Sequence, residues 1–132
     1  MGDDRVLGVE KGEGGMPHVV IENAPDLAGV FRGLAPFAER ADEQILRLAD
    51  LYLNRAGRTA LLECVVIDKG VAVSFFVLLA QREDQLTVRL YPLTDPEKTE
   101  GVKRLLALIA VRVRDLAPAS RFGKTNLQDY LP

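Results

Sequence analysis

The chain has few of the residues that most catalytic and metal sites require. It contains one cysteine, one histidine and no tryptophan among 132 residues. A single cysteine excludes an internal disulfide and favours a reducing compartment. Neither a Ser-His-Asp nor a Cys-His arrangement has more than one base available, and no cysteine pair or paired-acid motif could hold a metal. The sequence thus assigns no catalytic residue, metal or cofactor, and it favours a protein that is not an enzyme.

Long apolar runs and a large positive charge are also missing. No stretch reaches the roughly 18 uncharged apolar residues that a membrane span needs. The first residues include Asp3, Asp4 and several glycines, which does not resemble a signal peptide. The net charge of −2 does not favour a nucleic-acid-binding surface. We therefore predict a cytoplasmic protein without a membrane or nucleic-acid partner.

Three consecutive strands are the clearest feature that the sequence does contain. Apolar runs separated by turn residues predict strands at about 59–67, 71–81 and 86–92. The first and second runs are separated by the turn residues Asp68, Lys69 and Gly70. The second and third are separated by a polar stretch from Arg82 to Gln85. We predict an antiparallel meander in which the strands follow their order along the chain.

The lengths of the two loops decide which side chains share a face, because a slip of one residue exchanges the faces. Two-residue loops at Lys69-Gly70 and Glu83-Asp84 make one face entirely apolar. A three-residue first loop would instead place Glu63 on that face beside Phe75, and burying a carboxylate without a partner costs several kcal/mol. We therefore favour the two-residue loops. The uniform face then carries Ala60, Leu62, Cys64, Val66, Val73, Phe75, Val77, Leu79, Leu86, Val88 and Leu90.

Two helices are predicted to cover this uniform face. Phe37, Ala41, Ile45, Leu48 and Tyr52 recur at three- and four-residue spacing and predict a helix over about 37–55. A second apolar stripe after a capping signal at Thr94 to Glu97 predicts a helix over about 95–116.

The predicted fold is an α+β two-layer sandwich with a three- or four-stranded antiparallel meander. The fourth strand would begin at His18 and pair with an edge of the meander. Residues 17–118 form the domain in this prediction. Residues 1–16 are predicted to be a disordered arm, and residues 119–132 an irregular tail whose aromatic and leucine side chains could dock on the domain.

The opposite face of the meander is mixed, and it is the candidate site. Its centre is too apolar for plain solvent surface, and its edges are too polar for core. Glu63 and Arg89 flank the central strand diagonally, where their long side chains could meet over Phe76 and Leu78 as an ion pair. The candidate partner or ligand surface comprises Glu63, Phe76, Leu78, Arg89 and Tyr91. A secondary candidate surface on the last helix comprises Arg104, Leu108, Val111 and Arg112.

These observations favour a protein-interaction module that acts as a homodimer, with a second copy or another protein as its partner. The alternative is a small-molecule-binding domain or an enzyme, with a pocket on the mixed face near Glu63 and Arg89. Neither remaining chemical candidate supports catalysis. Cys64 lies on the uniform face, where burial makes a thiol inert, and His18 lies at a strand start near the arm.

Overall fold

The computed structural model describes residues 16–132, which form a curled antiparallel sheet and two helices. Within this range the sheet has seven strands in the order β2-β3-β4-β5-β6-β1-β7 and resembles half a barrel. The strands are β1 His18–Glu22, β2 Phe37–Ala41, β3 Gln44–Leu53, β4 Thr59–Asp68, β5 Val71–Arg82, β6 Gln85–Leu90 and β7 Arg121–Thr125. The helices are α1 Leu27–Gly33 and α2 Glu100–Arg114, followed near the C-terminus by a 3₁₀ turn at Gln128–Tyr130.

The predicted two-layer sandwich with three or four strands is therefore wrong. The sheet has four more strands than the meander alone, and it curls instead of remaining an open layer. The N-terminal strand does pair with the meander, since His18 lies opposite Arg89 of β6. The other edge of β1 pairs with β7, so both edges of β1 are occupied. The predicted disordered arm falls on residues 1–15, which lie outside the described residues, and on Met16.

Both hairpins of the meander have the predicted two-residue loops. Asp68 pairs with Val71 across the first loop, and Arg82 pairs with Gln85 across the second. Lys69 and Gly70 have φ values of 53° and 83°, the left-handed conformation that tight hairpins require at both central positions. Gly70 adopts this conformation without a steric cost. The predicted register of the meander is therefore confirmed.

The register produces one face covered by helices, called here the covered face. Phe75 is buried and Val88 points to the same side, whereas Thr87 points away, as predicted. Every residue of the predicted uniform face is buried except Val73, which is partly buried against the core. Val102, Leu105, Leu106 and Ile109 of α2 complete this core.

The predicted helix over 37–55 is wrong, because this stretch forms the hairpin of β2 and β3. Asp42 has a φ of 57°, and Ala41 pairs with Gln44 across a two-residue loop. Inward-facing Leu48 and Leu51 are three residues apart because a bulge at Ala49 inserts one extra residue into β3. Because of this extra residue, the two inward-facing leucines have the three-residue spacing that is also typical of one face of a helix.

The last helix is shorter than the predicted 95–116. It begins after Thr99, whose hydroxyl accepts a hydrogen bond from the Val102 N–H at 3.3 Å. Thr94, predicted as part of the helix cap, instead accepts a hydrogen bond from the Phe76 N–H at 3.1 Å. The helix approaches the sheet closely at Gly101, where an added Cβ would lie 2.7 Å from Val66 Cγ1.

The C-terminal stretch predicted to be irregular contributes to the sheet and the core. Residues Arg121–Thr125 form β7, and Leu127 is 2 % exposed within the core. The Thr125 hydroxyl donates to the His18 carbonyl at 2.7 Å, which joins the two ends of the described chain. This segment of five residues holds a single large apolar side chain, Phe122, which is too little to predict a strand unless its partner β1 is known.

Candidate functional site

The face of the sheet opposite α2, called here the open face, carries all five residues of the predicted primary surface. Glu63 pairs with Phe76, and Leu78 pairs with Arg89, so these four side chains occupy two adjacent cross-strand rows. Tyr91 follows β6 and donates its backbone N–H to the Phe76 carbonyl at 2.8 Å. Within residues 16–132, both helices pack on the covered face, and no element lies over the open face.

The centre of the open face is apolar. Phe76 is partly buried, and Leu78 is only 8 % exposed although no described helix covers it. Partly exposed apolar side chains of β3 and β4 extend this centre; they are Ile45, Leu61, Val65 and Ile67. The apolar centre therefore spans three adjacent strands, β3, β4 and β5.

Glu63 does not form the predicted ion pair with Arg89; within the described range no salt bridge joins them. Its Oε1 instead accepts a hydrogen bond from the Tyr52 hydroxyl at 2.8 Å. This hydrogen bond raises the pKa of Tyr52, because the phenol must keep its proton in order to donate it to the carboxylate. Glu63 is thus held toward β3, on the side away from Arg89.

Tyr52 is a site residue that the sequence did not indicate. Its ring lies 6.5 Å from that of Phe76, and the side chain is 48 % exposed. The helical spacing predicts Tyr52 in the apolar stripe of a helix, whereas in β3 it points to the open face. The signal that could have found it is the alternation of Leu51 and Leu53 around it, which is typical of a strand.

Shallow hollows formed by the described residues lie around the apolar centre. The first, about 400 Å³, is called here the arginine hollow because Arg82 and Arg89 are among its lining residues. The second, about 260 Å³, lies beside Tyr52 and Leu78. The third, about 290 Å³, lies beside Glu63 and Phe76. The residues lining the arginine hollow are Ala80, Gln81, Arg82, Gln85, Thr87 and Arg89.

The predicted secondary surface lies on the opposite side of the sheet and is not part of the same site. Arg112 contacts Glu39 as an ion pair, and its guanidinium lies 4.1 Å from the centre of the Phe37 ring. Arg104 contacts Asp42 at 3.2 Å. Leu108 packs against the core, and Val111 is partly exposed beside Arg112.

Both arginines of the secondary surface therefore attach α2 to the β2–β3 hairpin. This hairpin was predicted to be a helix, so the sequence could not show that it supplies acidic partners for α2.

The remaining chemical candidates occupy structural positions. Burial raises the pKa of the Cys64 thiol to about 12, and the thiol donates to the Leu62 carbonyl at 3.5 Å. His18 lies at the start of β1, with Nδ1 3.1 Å from the Met16 carbonyl oxygen. Among residues 16–132, no three His, Cys, Asp or Glu side chains are grouped so that they could hold a metal ion.

Neither of the helices between residues 16 and 132 combines the length and apolar character needed to cross a bilayer. Comparison with known proteins found no matching family model, no similar curated protein and no similar solved structure.

Proposed function

We propose that this protein is a non-enzymatic interaction module that forms a homodimer through its open face. The observation that carries the proposal is the uncovered apolar centre around Phe76 and Leu78, which no element among residues 16–132 covers. Contiguous apolar surface of this kind usually marks a contact with another protein. We also propose a cytoplasmic location, which the buried free thiol of Cys64 supports.

The surroundings of the apolar centre favour a protein partner. Polar and charged side chains surround it, including Arg47, Asp50 and Arg89, which are all exposed. An apolar centre inside a polar rim is the usual organisation of a protein interface. A second copy of the chain is the proposed partner because two-fold pairs are the commonest protein assemblies and because this rim carries charges of both signs.

Sedimentation at micromolar concentration tests the proposal. We expect the wild-type chain to sediment as a dimer and Phe76→Glu to sediment as a monomer, because the substitution puts a carboxylate into the centre of the contact. Phe31→Glu is the matched control, since Phe31 is 44 % exposed on α1, away from the open face. A wild-type monomer would refute the homodimer, and a dimeric Phe76→Glu variant would move the interface away from the open face.

The arginine hollow favours a second candidate function, the binding of a small anionic molecule. Arg82 and Arg89 lie two cross-strand rows apart, with Ala80 and Thr87 between them, and no carboxylate among residues 16–132 lines the hollow. Guanidinium groups bind carboxylates and phosphates in such positions. Fragment soaking with a set of small carboxylates and phosphates tests this candidate. Specific density in the hollow of a monomeric chain would favour it over the homodimer.

A further inference from the structure

We propose that the two copies meet with their two-fold axis parallel to the strands, between β4 and β5. Arg89 of each copy then contacts the Tyr52–Glu63 pair of the partner. This inference rests on the proposed homodimer and adds the orientation of the copies and the charged contact that determines it.

The charges of the open face are separated across the strands. The acidic side chains Asp50 and Glu63 are direct neighbours on β3 and β4. The basic side chains Arg82 and Arg89 lie on the other side of the apolar centre, on β5 and β6. Arg47 is also on β3, but it pairs with Val65 in a row that lies beyond the end of β6. Among the strand residues that point to the open face in the rows from Tyr91 to Gln85, the charged ones are therefore acidic on one side and basic on the other.

An axis along the strands exchanges these two sides. Rotation about it places β6 of one copy over β3 of the other while keeping each row at its own level. Leu78 then lies over the partner's Leu61, and Arg89 lies over the partner's Tyr52. Because the Tyr52 hydroxyl holds the Glu63 carboxylate toward β3, the carboxylate lies on the side that Arg89 approaches. Each dimer contains this contact twice.

An axis across the strands has a different consequence. It places β6 of one copy over β6 of the other, so that arginines face arginines and the acidic pair faces the partner's acidic pair. Like charges facing each other across an interface are unfavourable, whereas opposite charges select partner and orientation. The charge distribution therefore favours the axis along the strands.

The shape of the face agrees with this orientation. Tyr52 is 48 % exposed and stands above β3, whereas the arginine hollow on β5 and β6 has the small residue Ala80 among its lining. The proposed rotation brings the partner's Tyr52 to the edge of this hollow, beside Arg89. A guanidinium over a tyrosine ring adds a favourable cation–π contact to the ionic one.

Charge reversal and mixing test the orientation. We expect Arg89→Glu and Glu63→Lys each to raise the self-association Kd at least about tenfold, because each variant places like charges together twice in the dimer. A mixture of the two variants should associate as a heterodimer with a Kd within about threefold of wild type. In this heterodimer the introduced glutamate meets the introduced lysine, and the second contact is unchanged. Arg32→Glu makes the same charge change at an exposed position of α1, away from the open face, so it is the control and should not alter association.

The outcomes separate the orientation from the proposed function. A wild-type chain that is monomeric by sedimentation overturns both. If wild type is dimeric and Phe76→Glu is monomeric, but the mixture fails to associate, the open face is the interface and the proposed orientation is wrong. Self-association of both single variants as tight as that of wild type, together with a mixture that associates more tightly than wild type, would indicate the axis across the strands, because like positions then face each other. Recovery in the mixture also shows that both variants are folded.

Discussion

Cys64 illustrates how a single position in β4 determines the behaviour of its side chain. It lies on the covered face between Leu62 and Val66, and it is fully buried. Burial disfavours the charged form of a thiol, which is why the pKa of Cys64 rises to about 12. The thiolate is the nucleophile, so the group is both inaccessible and protonated at neutral pH.

We expect Cys64 to resist a thiol reagent in the native protein at pH 8 and to react fully after denaturant is added. Spectroscopic titration of the free thiol measures both states. Rapid labelling of the native chain would contradict the buried position and would reopen nucleophilic chemistry at this residue.

The same pKa shift predicts a loss of stability at high pH. Below an ordinary thiol pKa of about 8.5, Cys64 is protonated in the folded and the unfolded state and has no effect on stability. Between about pH 9 and 12 the unfolded chain loses this proton while the folded chain keeps it, so the free energy of unfolding falls by about 1.4 kcal/mol per pH unit. Urea denaturation of wild type and Cys64→Ala over this range should show the steeper fall in wild type. Parallel curves would contradict the assignment.

Phe75 and Phe31 provide a matched pair, because one phenylalanine is buried in the core and the other is exposed on α1. Phe75 is 2 % exposed, whereas Phe31 is 44 % exposed. We expect Phe75→Ala to lower the free energy of unfolding by about 3–5 kcal/mol, because truncating a buried aromatic leaves a cavity. Phe31→Ala should cost less than about 1 kcal/mol. A cost of less than about 1 kcal/mol for Phe75→Ala in urea denaturation would mean that the assignment of the faces is wrong.

At the scale of elements, β3 shows how pairing can override local preference. Its residues are mostly good helix formers, and its apolar spacing is helical across the bulge at Ala49. The strand forms because Leu48 and Leu51 pack beside Cys64 and Leu62 of β4. Packing on a neighbouring strand stabilises a segment more than a propensity difference of a few tenths of a kcal/mol per residue.

The contact between α2 and β4 makes a prediction for Gly101. Alanine is the better helix former by about 1 kcal/mol, but its Cβ would lie 2.7 Å from Val66 Cγ1. We expect Gly101→Ala to lower the free energy of unfolding by about 1–3 kcal/mol, because neither the helix nor the β-branched side chain can move freely.

A double-mutant cycle distinguishes this clash from a general loss of helix stability. In a Val66→Ala background the obstructing methyl group is gone, so Gly101→Ala should become neutral or stabilising. The measurement is urea denaturation of the four chains. An equal cost in both backgrounds would show that the close approach to Val66 is not the cause.

At the scale of the whole molecule, the two ends of the described chain complete the sheet together. β1 pairs with β6 on one side and with β7 on the other, so segments distant in sequence become neighbours. Leu127 follows β7 and packs into the same core as α2. The C-terminal stretch is thus a structural part of the domain.

We therefore expect Leu127→Ala to destabilise the whole domain by about 2–5 kcal/mol, the usual cost of truncating a buried leucine. Leu93→Ala is the matched control, because Leu93 is 83 % exposed, and its effect should stay within about 0.5 kcal/mol. Urea denaturation, monitored by circular dichroism, measures both. A negligible effect at Leu127 would show that the tail is not docked in solution.

The meander, its register and its two faces could be predicted from the sequence. These features depend on residues that are close together along the chain. The two-residue loop at Lys69-Gly70 fixes the register, and with side chains alternating between the faces only this register leaves no charged residue on the buried face. For the same reason all five predicted residues of the primary surface lie on one face. The apolar face of α2 could also be predicted, because helical periodicity depends only on residues a few positions apart.

Most of the remaining strands and the position of Tyr52 could not be predicted from the sequence, because they depend on contacts between distant segments. The strands β1, β2, β3 and β7 are stabilised by partners on other strands, and their own sequences are short, bulged or better suited to a helix. The hydrogen bond between Tyr52 and Glu63 could not be predicted for the same reason, because Tyr52 reaches Glu63 only when β3 lies beside β4. Local patterns specify turns and faces, whereas pairing between distant segments specifies which strands meet, because its free energy comes from contacts that no single segment contains.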